Sequence, residues 1–223
     1  MSTVIMMALA PIIMILISFY ILDKYNREPL GLMIKLLLFG MLSVIIILPL
    51  ESFLSALNIF DGDTFNLYVA FIVAAFSEEF VKWSIVYKFT YNSKFFDEKM
   101  DGIMYAVFVS MGFAAIENIL YVASSGFTVA ILRALTAVPA HMMFGVAMGY
   151  YLSLEKFSNR HNKKIIRLSL LIPILFHGIY DYILMSNYHL LLLLFIPFMI
   201  FMMIFSFKKT KKFITESKAE VSY

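Results

Sequence analysis

The sequence predicts an all-α fold, a polytopic transmembrane bundle of about seven helices. Hydrophobic residues make up 62% of its 223 residues, charged residues make up only 15%, and the mean hydropathy is +0.87. A soluble globular domain carries roughly 45–50% apolar and about 25% charged residues. The composition therefore excludes a water-soluble protein, a disordered chain and a nucleic-acid-binding protein, and it indicates a membrane protein.

Seven apolar segments are long enough to cross a bilayer, whose hydrocarbon core requires about 20 residues of helix. The first segment has no basic start and too long an apolar run for a cleavable signal peptide, so we expect it to remain as a span. The segments are residues 3–22, 31–57, 64–87, 102–124, 127–153, 166–186 and 188–207. We expect residues 1–207 to form one domain, and residues 208–223 a loose, basic cytoplasmic tail that contacts anionic lipid.

Basic residues are confined to alternate connections between the spans, and this predicts the orientation. Of the 18 lysines and arginines, 16 lie in the C-terminal tail or in and beside the connections at 22–31, 88–101 and 154–167. The remaining connections contain none, namely 58–63, 124–126 and 186–189. Because basic connections stay in the cytoplasm, seven spans place the N-terminus outside and the C-terminus in the cytoplasm.

The third to sixth spans carry polar residues in the membrane interior, where charge is costly and needs a partner or a function. The first and seventh spans carry no ionisable residue in their interiors, so we expect them to serve packing and lipid contact. Glu51 lies near the outer end of the second span, where it can reach water. The interior residues are Glu78, Glu79 and Lys82 in the third span, Glu117 and Asn118 in the fourth, Arg133 and His141 in the fifth, and His177 and Asp181 in the sixth.

These polar residues are predicted to lie at similar depths. Counting about 1.5 Å per residue from the cytoplasmic boundary gives roughly 14–17 Å for Glu78, Glu79, His141 and His177, and about 22 Å for Glu117 and Asp181. We therefore expect Glu78, Glu79, Glu117 and His177 to converge on one intramembrane site, with His141 in the same cavity.

Three further residues are interpreted as supporting that site. Lys82 lies four residues after Glu78 and three after Glu79, so it can neutralise a carboxylate on its own helix face. Asn118 either hydrogen-bonds a neighbouring helix or polarises a substrate carbonyl, and the sequence leaves both alternatives open. Arg133 lies near the outer end of its span, where we expect it to pair with a carboxylate or a lipid headgroup.

Prolines and glycines flank the two histidine positions. Pro139 and Pro173 each precede a histidine and are expected to kink their spans, because proline removes a helical hydrogen bond. Gly145 and Gly149 form a GxxxG pattern, which we interpret as an ordinary contact between closely packed helices.

Carboxylates and imidazoles together fit two hydrolytic mechanisms. A glutamate can act as general base on water while a histidine or asparagine stabilises the oxyanion. Alternatively, His141, His177 and Glu79 could hold a divalent metal such as zinc, with one position open for water. The cofactor is thus either absent or one divalent ion. The motifs HExxH, GxSxG and GxGD are absent, which argues against the zinc-motif, serine and aspartyl classes of membrane protease.

Three short motifs lie in order on the third, fourth and sixth spans. Residues 78–82 read EExxK, residues 113–118 read FxxxEN, and residues 177–181 read HxxxD. The sequence RAL at 133–135 and the sequence DKYNREP at 23–29 accompany them. Together these residues resemble the bacterial PrsW protease family over almost the whole chain.

The resemblance implies an activity that spacing does not show. PrsW-like proteins make the site-1 cut in single-span anti-sigma factors outside the cytoplasm, and a second protease then completes release of the sigma factor. They are distant relatives of the CAAX prenyl endopeptidases and bacteriocin-immunity proteins. By motif position the resemblance implies that Glu78 and Glu79 are the core catalytic residues, with Glu117 and His177 beside them as further catalytic residues. Supporting roles fall to Lys82, Asn118, His141 and Asp181.

The implied partners are an anti-sigma factor and the lipid bilayer of the bacterial cell membrane, with no nucleic acid. A proton-coupled transporter or channel is the alternative function, because buried Glu, His and Lys relays suit it equally. Against it, the sequence has no inverted repeat and no paired broken helices, and seven spans do not divide evenly. A catalytically silent relative that binds or protects membrane partners is a third hypothesis.

Overall fold

The computed structural model describes residues 2–158, 162–186 and 188–221, and every regular element in these ranges is helical. The predicted all-α class is therefore confirmed. The elements are α1 (Ser2–Leu22), α2 (Leu30–Ala56), α3 (Gly62–Tyr68), a π-helical segment (Val69–Phe76), α4 (Ser77–Thr90), α5 (Lys99–Leu135), α6 (Ala137–Lys156), α7 (Lys163–Met185) and α8 (His189–Val221).

The outside of the bundle is apolar. Among the described residues, four helical stretches are long and apolar enough to cross a membrane, and they are Leu30–Ala56, Lys99–Lys156, Lys163–Met185 and His189–Ala219. The second stretch contains both α5 and α6. Large apolar side chains point away from the core, including Met14, Ile45 and Leu190, which are 68%, 70% and 75% exposed. Such a surface is suited to lipid, and the protein is a helical membrane bundle.

Helix α5 runs through the centre of the bundle. All residues from 100 to 115 are buried, and the helix packs against α1, α2 and α6. A helix that is apolar on every face is stable only when surrounded by other helices or lipid. Its first turn is held by a capping box, in which the side chains of Glu98 and Asp101 each accept a hydrogen bond from the other's backbone N–H.

Glycines allow α5 to approach its neighbours closely. A methyl group placed on Gly40 of α2 would lie 2.1 Å from the carbonyl oxygen of Val109, and one on Gly149 of α6 would lie 2.1 Å from that of Gly102. Gly145 also faces the backbone of α5. The GxxxG pattern at 145–149 is thus a helix-packing contact, as predicted.

Replacing Gly149 with alanine is expected to destabilise the bundle by about 1–3 kcal/mol, because the new methyl group meets backbone that cannot rotate away. Gly31, also helical, has nothing within 4 Å of an added Cβ. Gly31→Ala should therefore be neutral or stabilising by up to about 1 kcal/mol. Unfolding midpoints of both variants in detergent check this, and equal midpoints would contradict the packing argument.

The fifth predicted span, residues 127–153, does not exist as one helix. The backbone leaves helical geometry at Gly126, where φ is 79° and ψ is −161°; a helix resumes to Leu135, and a second break falls at Thr136. Pro139 explains the position, because its ring excludes the carbonyl of the residue four before it, Leu135. The predicted end of the fourth span, at residue 124, lies two residues before the non-helical Gly126.

The segment after residue 207 is not a loose tail, and that prediction was wrong. Helix α8 continues without a break to Val221. Phe213 is fully buried and stacks on Tyr150 of α6, with ring centroids 4.9 Å apart. Lys99 pairs with Glu216 at 2.7 Å. These contacts fasten the basic segment to α5 and α6.

Candidate active site

A cavity of about 460 Å³ lies between α2, the π-helical segment, α4, α5, α6 and α7. Its wall combines apolar side chains with ionisable ones. The ionisable residues that line it include Glu51, Glu78, Glu117, Arg133, His141, His177 and Asp181. Glu79, Lys82 and Asn118 are absent from the wall and fully buried, so they lie behind the residues that face the cavity.

The two adjacent glutamates begin α4, directly after the π-helical segment. A π-turn is wider than an α-turn and is frequent at functional sites. Phe71 of this segment packs where a Cβ of Gly178 would lie, only 2.3 Å from the Phe71 Cδ1 atom. The absent side chain at 178 thus lets α7 approach the π-helical segment, which places His177 beside Glu78 and Glu79 at the start of α4.

Lys82 connects the carboxylates with a histidine. Its Nζ atom lies 2.6 Å from Glu79 Oε1 and 3.1 Å from Glu78 Oε2. It also lies 3.5 Å from His141 Nδ1 and 4.3 Å from the centre of the Phe113 ring. The three donors of the fully buried ammonium group therefore meet three acceptors.

His177 is held between carboxylates on both sides. Its Nδ1 atom lies 3.1 Å from Glu79 Oε1, and its Nε2 atom lies 3.3 Å from Asp181 Oδ2. Phe144 stacks on the imidazole with centroids 4.8 Å apart. These contacts fix the orientation of the ring, with Nδ1 turned toward the glutamates of α4.

Glu117 forms the second half of the site. Its Oε2 atom accepts from Arg133 Nη2 at 2.6 Å and lies 2.9 Å from His141 Nε2. Because His141 Nδ1 faces Lys82, the imidazole joins the Glu117 half to the Glu78–Glu79 half. The carboxylate pairing expected for Arg133 is present.

Asn118 supports the site from behind. Its Nδ2 atom donates to the Ala8 carbonyl oxygen of α1 at 2.8 Å, and its Oδ1 atom accepts from Arg133 Nε at 2.8 Å. Of the two alternatives for Asn118, the structure contains the hydrogen bond to a neighbouring helix. Its other contact orients Arg133 toward Glu117.

All eight predicted site residues thus belong to one connected group. The sequence analysis did not predict that α2 and the π-helical segment also form part of the cavity wall. Glu51 is half-buried in the cavity wall instead of simply meeting water. An acidic side chain in an otherwise apolar span was the feature of the sequence that could have indicated this position. The π-turn had no signal, because the sequence VAFIVAAF at 69–76 suits an α-helix equally well.

The residues that could hold a metal ion differ from the predicted set. Ligand atoms of Glu78, Glu79 and His177 lie within 4.8 Å of one another. His141, proposed from the sequence as a ligand, is instead directed at Glu117 and Lys82. Two carboxylates and an imidazole suit zinc, and the contact of His177 with Asp181 is typical of metal-ligating histidines. Glu79 Oε2 is buried without a hydrogen-bond partner, so these residues fit a metal.

Comparison with known proteins identifies the family. The profile described as "PrsW family intramembrane metalloprotease" matches residues 28–207. The chain belongs to the PrsW family. It is 39% identical over 219 residues to Protease PrsW of Clostridioides difficile (strain 630), covering 96% of this chain and 92% of that relative. It is 38% identical over 215 residues to Protease PrsW of Bacillus subtilis (strain 168), covering 95% and 96%.

A third relative, Protease PrsW of Geobacillus kaustophilus (strain HTA426), is 40% identical over 187 residues, covering 84% of this chain and 82% of that relative. No solved structure matches the chain. Membership of the PrsW family confirms the resemblance and makes this protein an intramembrane peptidase. It favours the hydrolytic hypothesis over the transporter and over a silent relative.

Proposed function

We propose that the protein is a multi-pass peptidase of the bacterial cell membrane that makes the first, extracytoplasmic cut in a single-span anti-sigma factor. The observation that carries this proposal is the position of the cavity. Its wall extends to Glu51, Ser124 and Met185, near helix ends whose connections contain no lysine or arginine. A cavity at that end of the bundle would receive a substrate from the outer side.

The cavity wall also suits an apolar substrate segment. Val44, Ile47 and Leu48 of α2 and Phe113 of α5 form its apolar part. Apolar surface with a few placed polar groups is the usual composition of a binding cavity. A transmembrane segment that unwinds near its outer end exposes a peptide bond that is no longer hydrogen-bonded within a helix, next to apolar side chains. Such a segment matches a wall that is mainly apolar with a few polar groups.

In the proposed reaction, Glu78 is the carboxylate that faces the cavity and accepts a proton from the attacking water. Glu79 lies behind it and holds His177 and Lys82 in place. If Glu78, Glu79 and His177 hold a divalent metal, that ion supplies a bound water of lowered pKa and polarises the substrate carbonyl. Without a metal, Glu78 then donates the proton it took from water to the leaving amine.

The Glu117 half of the site contributes the Arg133 guanidinium, a positive charge suited to stabilising an oxyanion. Arg133 and His141 both line the cavity, and both are anchored by Glu117. Fixed donors near the carbonyl oxygen stabilise the charge that develops on it during attack. Glu117 is thus a positioning residue for the Arg133 guanidinium, and His141 is held between Glu117 and Lys82.

Co-expression with candidate single-span anti-sigma factors tests the function. We expect the wild-type protein to convert one candidate to a shorter fragment, with the new terminus on the extracytoplasmic side of its span. The Glu78→Gln variant should leave that candidate intact. A new terminus on the cytoplasmic side, or equal fragments from both proteins, would contradict the proposal.

The proposal includes seven spans with the N-terminus outside and the C-terminus in the cytoplasm. In this arrangement α3, the π-helical segment and α4 form the third span, and α6 forms the fifth. Reporter domains fused after residues 95, 160 and 223 should be active in the cytoplasm, and those after 61 and 125 should be active outside. An external signal at 160 would exclude both the span number and the orientation.

A further inference from the structure

The wall of the peptidase cavity is a ring of five neighbouring elements, namely α2, the π-helical segment with α4, α7, α6 and α5. Direct contacts close the boundaries on one side of this ring. The hydroxyl group of Tyr68, the residue before the π-helical segment, donates to the Leu54 carbonyl oxygen of α2 at 2.7 Å. Phe71 fills the space beside Gly178 and so joins the π-helical segment to α7.

The two boundaries of α6 are closed as well. Phe144 of α6 stacks on His177 of α7. His141 of α6 lies 2.9 Å from Glu117 of α5, measured between Nε2 and Oε2. Side chains therefore meet across four of the five boundaries in the described ring. The remaining boundary lies between α2 and α5.

Helices α2 and α5 touch in the halves nearer the basic connections. A methyl group on Gly112 would lie 2.1 Å from the Leu37 carbonyl oxygen, and one on Gly40 would lie equally close to that of Val109. Helices that pack at an angle are closest where they cross and separate away from that point. The backbones thus cross at residues 37–41 and 109–112, and the outer halves of the two helices lie beyond this crossing.

Beyond this crossing the cavity reaches the surface of the bundle between the two helices. Leu48 of α2 and both Leu120 and Tyr121 of α5 line the cavity, yet they are 50%, 49% and 49% exposed. In the part of the chain that the structure describes, no hydrogen bond or ion pair joins residues 44–56 of α2 to α5. We call the gap bordered by Leu48, Leu120 and Tyr121 the α2–α5 opening.

The depth of the α2–α5 opening matches the proposed cut. Counting about 1.5 Å per residue from the starts of the predicted spans at 31 and 102 puts Leu48 and Leu120 roughly 26 and 27 Å from the cytoplasmic boundary. The hydrocarbon core is about 30 Å thick. The opening therefore lies in the outer part of the bilayer, where an extracytoplasmic cut requires the peptide bond of the substrate.

The cavity is too small for a whole transmembrane helix. A helix about 10–12 Å wide that rises about 5.4 Å per turn occupies roughly 420–610 Å³ per turn, whereas the cavity has a volume of about 460 Å³. The cavity therefore accommodates about one turn's length of chain. Because the rest of a membrane-embedded substrate stays in the lipid, the cavity needs an opening on its membrane side.

We propose that the α2–α5 opening is the entrance through which a transmembrane segment of the substrate reaches the cavity from the lipid. This inference rests on the proposed function and specifies the route of its substrate. The cavity wall carries the ionisable groups of Glu78, Glu117 and Arg133. Such groups favour a polar partner, which an unwound peptide supplies and a lipid acyl chain does not. Tyr121 connects the opening with this wall, because the Arg133 guanidinium lies 4.0 Å from the centre of its ring.

Photo-crosslinking of the full-length protein in liposomes tests the entrance without any cleavage. The sequence contains no cysteine, so Leu48→Cys in the Glu78→Gln protein can carry a single benzophenone maleimide. The probe is a biotinylated peptide of about 20 leucine and alanine residues flanked by lysines, which is long enough to span the bilayer. We expect a covalent adduct with this peptide, and an excess of the same peptide without biotin should suppress it.

Ile46→Cys is the matched control on α2. Ile46 is 60% exposed, but it lies about 200° around the helix from Leu48 and does not line the cavity. We expect about tenfold more adduct at position 48, because a bound segment raises the local concentration of the peptide there. Equal adducts at both positions, an adduct that excess peptide leaves unchanged, or an adduct with lipid alone would overturn the proposal.

A second measurement connects the opening with activity. A bismaleimide that contains a disulfide joins Leu48→Cys to Leu120→Cys, and mass spectrometry confirms the link. Cleavage of a single-span anti-sigma factor should fall by about tenfold or more, and it should recover on reduction, which leaves both thiol adducts in place. Unchanged cleavage by the linked protein would contradict the entrance. If the wild-type protein cleaves no candidate, only the proposed function fails, because the adduct at position 48 requires no cleavage.

Discussion

Glu78→Gln is expected to reduce cleavage of the substrate by about 10²–10⁴-fold, the usual contribution of a general base. Glutamine has nearly the same shape, so the cavity keeps its volume, but the amide cannot accept a proton from water. The measurement is the rate of fragment formation by purified protein in detergent or liposomes.

Glu216→Gln is the matched control for Glu78→Gln. Glu216 is also a helical glutamate paired with a lysine, but its side chain is 32% exposed and lies on α8. Its replacement should leave the cleavage rate within about twofold, because exposed ion pairs contribute little. A Glu78→Gln rate close to that of the control would remove Glu78 from the proposed reaction.

Lys82→Met is expected to destabilise the folded protein by about 3–5 kcal/mol, because it leaves two buried carboxylates without their shared cation. Methionine replaces the aliphatic part of the lysine side chain, so most of the apolar packing remains. The unfolding midpoint in detergent should fall by roughly 10 °C. Lys82→Arg keeps the positive charge, so its unfolding midpoint should fall by less than that of Lys82→Met.

The control for this variant is Lys99→Met, which removes a lysine–glutamate pair at the surface, since the Lys99 side chain is 34% exposed. Its expected effect is about 0–1 kcal/mol. The two ion pairs thus differ in burial, since the Lys82 and Glu79 side chains are both 0% exposed. Equal midpoints for Lys82→Met and Lys99→Met would show that the Lys82 charge does not hold the glutamates together.

Composition and depth were enough to predict the helical membrane bundle and the residues of its polar interior. Mid-membrane charge is costly, so Glu78, Glu117 and His177 had to face one another or water, and counting residues along apolar helices gives their depth. The family motifs added the peptidase activity. These predictions rest on properties of single helices, such as apolar length and the position of charges, which can be read directly from the sequence.

The sequence by itself determined the fold class, the family and the residue types of the site, because apolar length, charge position and motifs are local properties. Only the tertiary structure decided how residues of different helices are paired, namely His177 with Glu79, and His141 with Glu117 and Lys82. The same holds for the break at Thr136 and the docking of residues 208–221 on α6. Pairing depends on how helices rotate and approach, and that is fixed by contacts between distant residues such as Gly178 and Phe71.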